Sequence, residues 1–158
     1  MGLSYAHVFA IGHLVIQMAS LALYASAMTA MSCSQEFKQV RAYMLSGRQL
    51  RQAEPLAVEA LSQHDIGLGR RLEQWFERYE ALVAERNRIV HSVGVKNLDG
   101  PQPVTVWHPR TLTSFEVTAK SLEITNAEAG QLVSLGFELA ADIETSLTGE
   151  STLRAETD

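Results

Sequence analysis

The first thirty-five residues contain no Asp, Glu, Lys or Arg. No helix in that stretch can be anchored by ion pairs, and a bilayer-spanning segment there would lack the flanking cations that orient one. Its start, Met1-Gly2-Leu3-Ser4, also lacks the basic residues of a secretory leader. The chain has one cysteine, Cys33. An internal disulfide is therefore excluded, and the composition suits a reducing compartment. No glycine-rich phosphate loop occurs, since Gly67-Leu68-Gly69 is too short for one. No Gly-x-Ser-x-Gly elbow is present. The five histidines, His7, His13, His64, His91 and His108, are scattered. None shares a turn with a pair of other ligand types, so the sequence offers no metal site and implies no cofactor.

What is present is a chain of 158 residues, of a size for one domain with its own core. We read residues 1–148 as that domain and 149–158 as a polar tail. The net charge is −5, but ten of the thirteen Lys and Arg residues lie between Lys38 and Lys96. The chain after Arg110 is mostly acidic. A local basic surface of this kind can hold a few phosphates, while the overall charge argues against duplex DNA as a partner.

Tyr5 to Met31 is apolar with His7, His13 and Gln17 embedded. A membrane span needs about 20 apolar residues, and this segment is long enough. Its Ala and Ser content and its central polar groups favour instead a helix buried partly in its own bundle and partly against a second subunit. That reading makes the protein cytoplasmic. Ser32-Cys33-Ser34-Gln35 reads as a capping box opening a second helix, with Phe37, Val40, Met44 and Leu45 inward and Gly47 as its stop. Arg48 to Glu54 reads as a charged connection, and Pro55 as the first turn of a short third helix ending near Gln63. A long amphipathic helix runs from about Leu68 to Val93, closed by Gly94. Val104–Trp107 and Phe115–Thr118 alternate as a small hairpin bent at His108-Pro109-Arg110, with Trp107 packing it onto the helices. Thr125-Asn126-Ala127-Glu128 is a capping box for the last helix, whose stripe is Leu132, Leu135, Leu139, Ile143 and Leu147. The fold class is all-α, an up-and-down helical bundle with a small β-hairpin inserted before the last helix.

The chemistry concentrates at the end of the long helix. Its apolar stripe runs Leu68, Leu72, Trp75, Tyr79, Leu82, then Arg86, then Ile89 and Val93, with Phe76, Val83 and Val90 beside it. Arg86 stands where the pattern calls for Leu. A guanidinium cannot lose its proton, so burying it requires a partner: a carboxylate, another subunit or a phosphate. Asn87 and Arg88 follow, and His91 lies one turn beyond Asn87.

Arg86-Asn87-x-x-x-His91 resembles the Arg-x(4–6)-His motif of the HEPN superfamily, in its Arg-Asn form. The Tyr that follows the His by two residues in one toxin branch of that superfamily is absent here, where Ser92-Val93 stands. The resemblance therefore extends to the superfamily alone. It implies a small helical bundle and a metal-independent endoribonuclease of the kind used as a toxin or in phage defence, with an antitoxin protein as a partner. It implies RNA cleavage by the substrate's own 2′-hydroxyl. In that scheme His91 transfers the proton, Arg86 holds the phosphate, Asn87 orients His91 or the substrate, and Arg88 adds charge for RNA binding. It also implies a homodimer, formed through the apolar N-terminal helix and the Arg86/His91 helix. Two alternatives stay open: a non-catalytic dimerising module, and a small membrane-anchored protein.

Overall fold

The computed structural model describes residues 5–33, 45–90, 93–96, 104–108 and 113–155. They form a helical bundle. In chain order the elements are α1 (Tyr5–Ser32), α2 (Gly47–His64), α3 (Ile66–Val90), β1 (Val93–Lys96), β2 (Val104–His108), β3 (Thr113–Val117) and α4 (Ala119–Ala155). The chain divides into two compact units. One is Met1–Ala19 with Tyr79–Gln131, and the other is Ser20–Arg78 with Leu132–Asp158.

In the first unit α1 and α4 run in the same direction. Asn126 Nδ2 donates to the carbonyl of Ala10 at 3.0 Å. A Cβ built on Gly130 would stand 3.0 Å from Gln17 Nε2, so the two backbones approach closely there. Leu14, Met18, Tyr79, Leu82, Ile89, Val117, Leu122 and Ala129 make the core. The sheet is antiparallel, in the order β1-β2-β3. Val106 pairs with Phe115, and Val104 with Val117.

In the second unit α3 and α4 run antiparallel. Arg71 pairs with Asp142 at 2.8 Å. One turn along, Trp75 Nε1 donates to the carbonyl of Leu132 at 3.0 Å. Trp75 and Phe76 meet edge to face at 5.5 Å. Leu21, Met28, Leu61, Leu72, Phe76, Leu132 and Ile143 are sealed from solvent. Asp65 alone separates α2 from α3 and serves both. Its N–H closes α2 on the carbonyl of Leu61 at 2.7 Å. Its carboxylate accepts from the N–H groups of Gly67 at 2.8 Å and Leu68 at 3.0 Å, capping α3.

The apolar stripe of α3 lies as the periodicity requires, with Leu68, Leu72, Trp75, Tyr79, Leu82 and Ile89 buried. Other boundaries differ from the sequence reading. Ser32 is the last residue of α1. Of the expected second helix, Phe37, Val40 and Met44 lie outside the described residues. Gly47 is the first residue of α2, because Ser46 forms a reciprocal capping box with Gln49. Arg48 to Glu54 is therefore helical, and Pro55 sits inside α2. Val93 leaves the long helix for β1, and Gly94 lies at a register shift in that strand. The expected two-stranded hairpin is a three-stranded sheet; of its bend, His108 belongs to β2, while Pro109 and Arg110 lie outside the described residues. The last helix starts at Ala119, not near Thr125. Thr118 N donates to Ser121 Oγ at 3.0 Å and Ser121 N to Thr118 Oγ1 at 2.9 Å, which is a cap about two turns upstream. α4 continues to Ala155, through most of residues 149–158.

Candidate functional site

The last turn of α3 carries the motif. Arg86 sits in the first unit between Leu82 and Ile89, both buried, and is itself half-buried. Its Nη1 donates to Oδ1 of the next residue, Asn87, at 2.8 Å. Its Nε is buried with no hydrogen-bond partner. Among the described residues no carboxylate pairs with it. The nearest in sequence, Glu85, is turned to Arg88 instead. A buried guanidinium N–H without an acceptor costs on the order of 1–3 kcal/mol. An anionic oxygen is the most favourable acceptor for a cationic N–H; in this structure Nε is closed off from solvent.

Arg88 is held differently. Its Nε and Nη2 reach the two oxygens of Glu85 at 2.8 and 2.6 Å, a bidentate pair. Its guanidinium carbon lies 4.0 Å from the centre of the Phe115 ring. This clamp ties α3 to β3, and it is invisible in the sequence because Phe115 is remote along the chain. The structure thus brings Arg86 and Asn87 together and engages Arg88 in a separate contact. His91 lies outside the described residues, as do the surroundings of the Trp107 side chain.

A concavity lies in the other unit, between α3 and α4. It has a volume of about 270 Å³ and is lined by Arg71, Gln74, Trp75, Arg78, Leu132, Leu135 and Leu139. Arg71, Gln74 and Arg78 follow one face at helical spacing, a pattern readable in the sequence but hidden among alternating charges. Among the described residues no group of three His, Cys, Asp or Glu converges as a metal site.

Compared with protein-family models, with curated proteins and with solved structures, the chain finds no match. The likeness to HEPN domains rests on Arg86, Asn87 and His91 alone.

Proposed function

We propose that the protein is a metal-independent endoribonuclease of the cytoplasm, with its active centre at Arg86, Asn87 and His91. The observation that carries this reading is the buried Nε of Arg86, which lacks a hydrogen-bond partner on an otherwise apolar stripe. A structural arginine at that depth is expected to be neutralised by a carboxylate. A phosphate-binding arginine is expected to keep a donor open for the substrate.

The reaction follows from the groups present. The 2′-hydroxyl of RNA attacks the adjacent phosphorus while a base removes its proton. The 5′-oxygen leaves as it receives a proton, so the products are a 2′,3′-cyclic phosphate and a 5′-hydroxyl. An imidazole titrates near neutral pH and can serve either proton step. His91 takes that role, and Arg86 stabilises the charge that develops on the phosphorane oxygens. Asn87 holds the Arg86 fork through Nη1 and fixes where Nε points. Arg88 is already committed to Glu85 and Phe115, so it serves the frame of the site more than the substrate.

The test is cleavage of single-stranded RNA with EDTA present. The wild type should cleave. Arg86→Leu and His91→Ala should keep their helix content and lose cleavage, by at least ~10²-fold for His91, the usual scale for a general acid or base. Absence of cleavage by the folded wild type would leave a non-catalytic binding module as the better account.

A further inference from the structure

The hollow between α3 and α4 in the second unit, about 270 Å³, has an apolar floor and a cationic rim. Trp75, Leu132 and Leu139 form the floor, at 3%, 0% and 3% exposure. The one polar atom of the indole, Nε1, donates to the carbonyl of Leu132 at 3.0 Å, so Trp75 offers the hollow only carbon. The ring is also fixed in place. A Cβ built on Gly136 would stand 3.1 Å from its Cζ2 and Nε1, so the indole lies against the backbone of α4. Leu135 forms the wall. It keeps 42% exposure although Leu132 and Leu139, on the same stripe of α4, are sealed.

At the rim Arg71, Gln74 and Arg78 are exposed, and among the described residues no carboxylate lines the hollow. By the 3.6-residue repeat, Glu73, Glu77 and Glu80 fall on the side of α3 away from Trp75. The two arginines are not equivalent. Arg71 is committed to Asp142 at 2.8 Å, which neutralises that end. Arg78 has no ion-pair partner among the described residues. Gln74 stands four residues before it and is therefore its neighbour on the helix surface. One guanidinium fork and one amide overlook an apolar floor.

Charge, polarity and size select what fits. Arg78 repels a cation, and a neutral body gains nothing from its fork. A small bare anion gains nothing from Trp75 and Leu135. A carboxylate matches a single fork, whereas a phosphate dianion calls for more charge than one guanidinium supplies. The volume lies just below the ~300–1,000 Å³ of ordinary ligand pockets, too small for a dinucleotide. We propose that this hollow binds a small amphipathic monocarboxylate, with its apolar body on Trp75 and Leu135 and its carboxylate on Arg78 and Gln74. The proposal draws on the second unit alone and stands apart from the nuclease reading.

The test is titration of the whole chain with octanoate, followed by calorimetry and by the NMR signals of the Trp75 indole and the Leu135 methyls. Octanoate should bind once per chain, with a Kd on the order of 0.1–1 mM for its ten or so heavy atoms. Both signals should shift. Octanol, which has the body without the charge, should bind about 10–100-fold more weakly, the fold-change of a lost hydrogen bond to a charged group. Acetate, which has the charge without the body, should not bind at the same concentrations. Arg78→Met keeps the apolar stem and should bring octanoate down to the affinity of octanol. Leu135→Trp should fill the hollow and abolish binding. Failure of the folded wild type to bind octanoate would overturn the proposal. So would equal affinity for octanoate and octanol, equal affinity for octanoate and acetate, or octanoate binding that folded Arg78→Met leaves unchanged. Should Arg78→Met unfold, the three-ligand comparison on the wild type decides.

Discussion

Arg86 occupies a position that the helix repeat assigns to Leu, and both of its neighbours on the stripe, Leu82 and Ile89, are buried. Its oddity was legible in the sequence, because a single cation interrupts an unbroken apolar period. The missing acceptor at Nε was not legible, because it depends on Glu85 turning to Arg88 and on Phe115 receiving that guanidinium. The two facts together make a prediction about stability that is separate from activity. Arg86→Leu removes a buried donor worth about 1–3 kcal/mol of penalty and completes an apolar stripe. Its urea midpoint should equal or exceed that of the wild type. A fall of more than about 1 kcal/mol, on the scale of a lost hydrogen bond, would identify Arg86 as a structural clamp. Cys33 gives a second test at this scale. Desolvation pushes its thiol above the ordinary range, so the folded chain holds that proton more tightly than the unfolded one. Thiol labelling at pH 8 should therefore be slower for the folded protein than for the protein in urea. By the same linkage, any stability the neutral thiol contributes declines as pH rises through the unfolded thiol's range.

The elements were legible in proportion to how much of their signal is local. α3 declares itself through a stripe that keeps its period for six turns. For α2 the local signals conflict: Gly47 and Pro55 read as punctuation, while Ser46 and Gln49 spell a capping box three residues apart, and the box prevails. Ser46→Ala should accordingly cost about 1 kcal/mol. β1 was missed since Val93-Gly94-Val95 continues the apolar pattern of the helix before it, and only pairing with β2 makes it a strand. The junction of α2 and α3 supplies the sharpest test at this scale. Gly69 lies in α3, where Ala would favour the helix by about 1 kcal/mol on propensity alone. A Cβ there would stand 2.7 Å from the Cα of Ser62 on α2, which is backbone and cannot swing aside. The clash should win. Gly69→Ala is expected to destabilise by at least ~1–3 kcal/mol, the range for overpacking, read as a lowered urea midpoint. A neutral or stabilised variant would show that the two helices separate freely at Asp65.

At the scale of the whole molecule the distribution of polarity is the feature to account for. Most of the chain obeys the usual order, with charge outward and Leu, Trp and Phe inward. α1 departs from it in part: it buries Leu14, Leu21 and Met28 together with the polar His7, Ser26, Thr29 and Ser32, and presents Tyr5, Phe9, Ile16 and Leu23. The sequence foretold a helix with more apolar surface than one bundle covers. It could not say which residues face out, since a segment apolar on all sides has no periodic contrast to read. Were two copies to pair through the outer face of α1, stability and association would be linked. If the outer face of α1 is covered only in the dimer, melting must depend on protein concentration, because mass action favours the paired state. Dilution by two orders of magnitude should lower the melting temperature of the wild type measurably. Phe9→Glu should melt lower and show no such dependence. Leu14→Ala acts on the other face of the same helix, at a side chain with 0% exposure. It should lose about 2–5 kcal/mol by opening a cavity, yet keep the dependence on concentration, because the outer face is intact. A wild type whose melting temperature ignores dilution, with Phe9→Glu melting at the same point, would mean that the exposed stripe of α1 contributes nothing to holding two copies together.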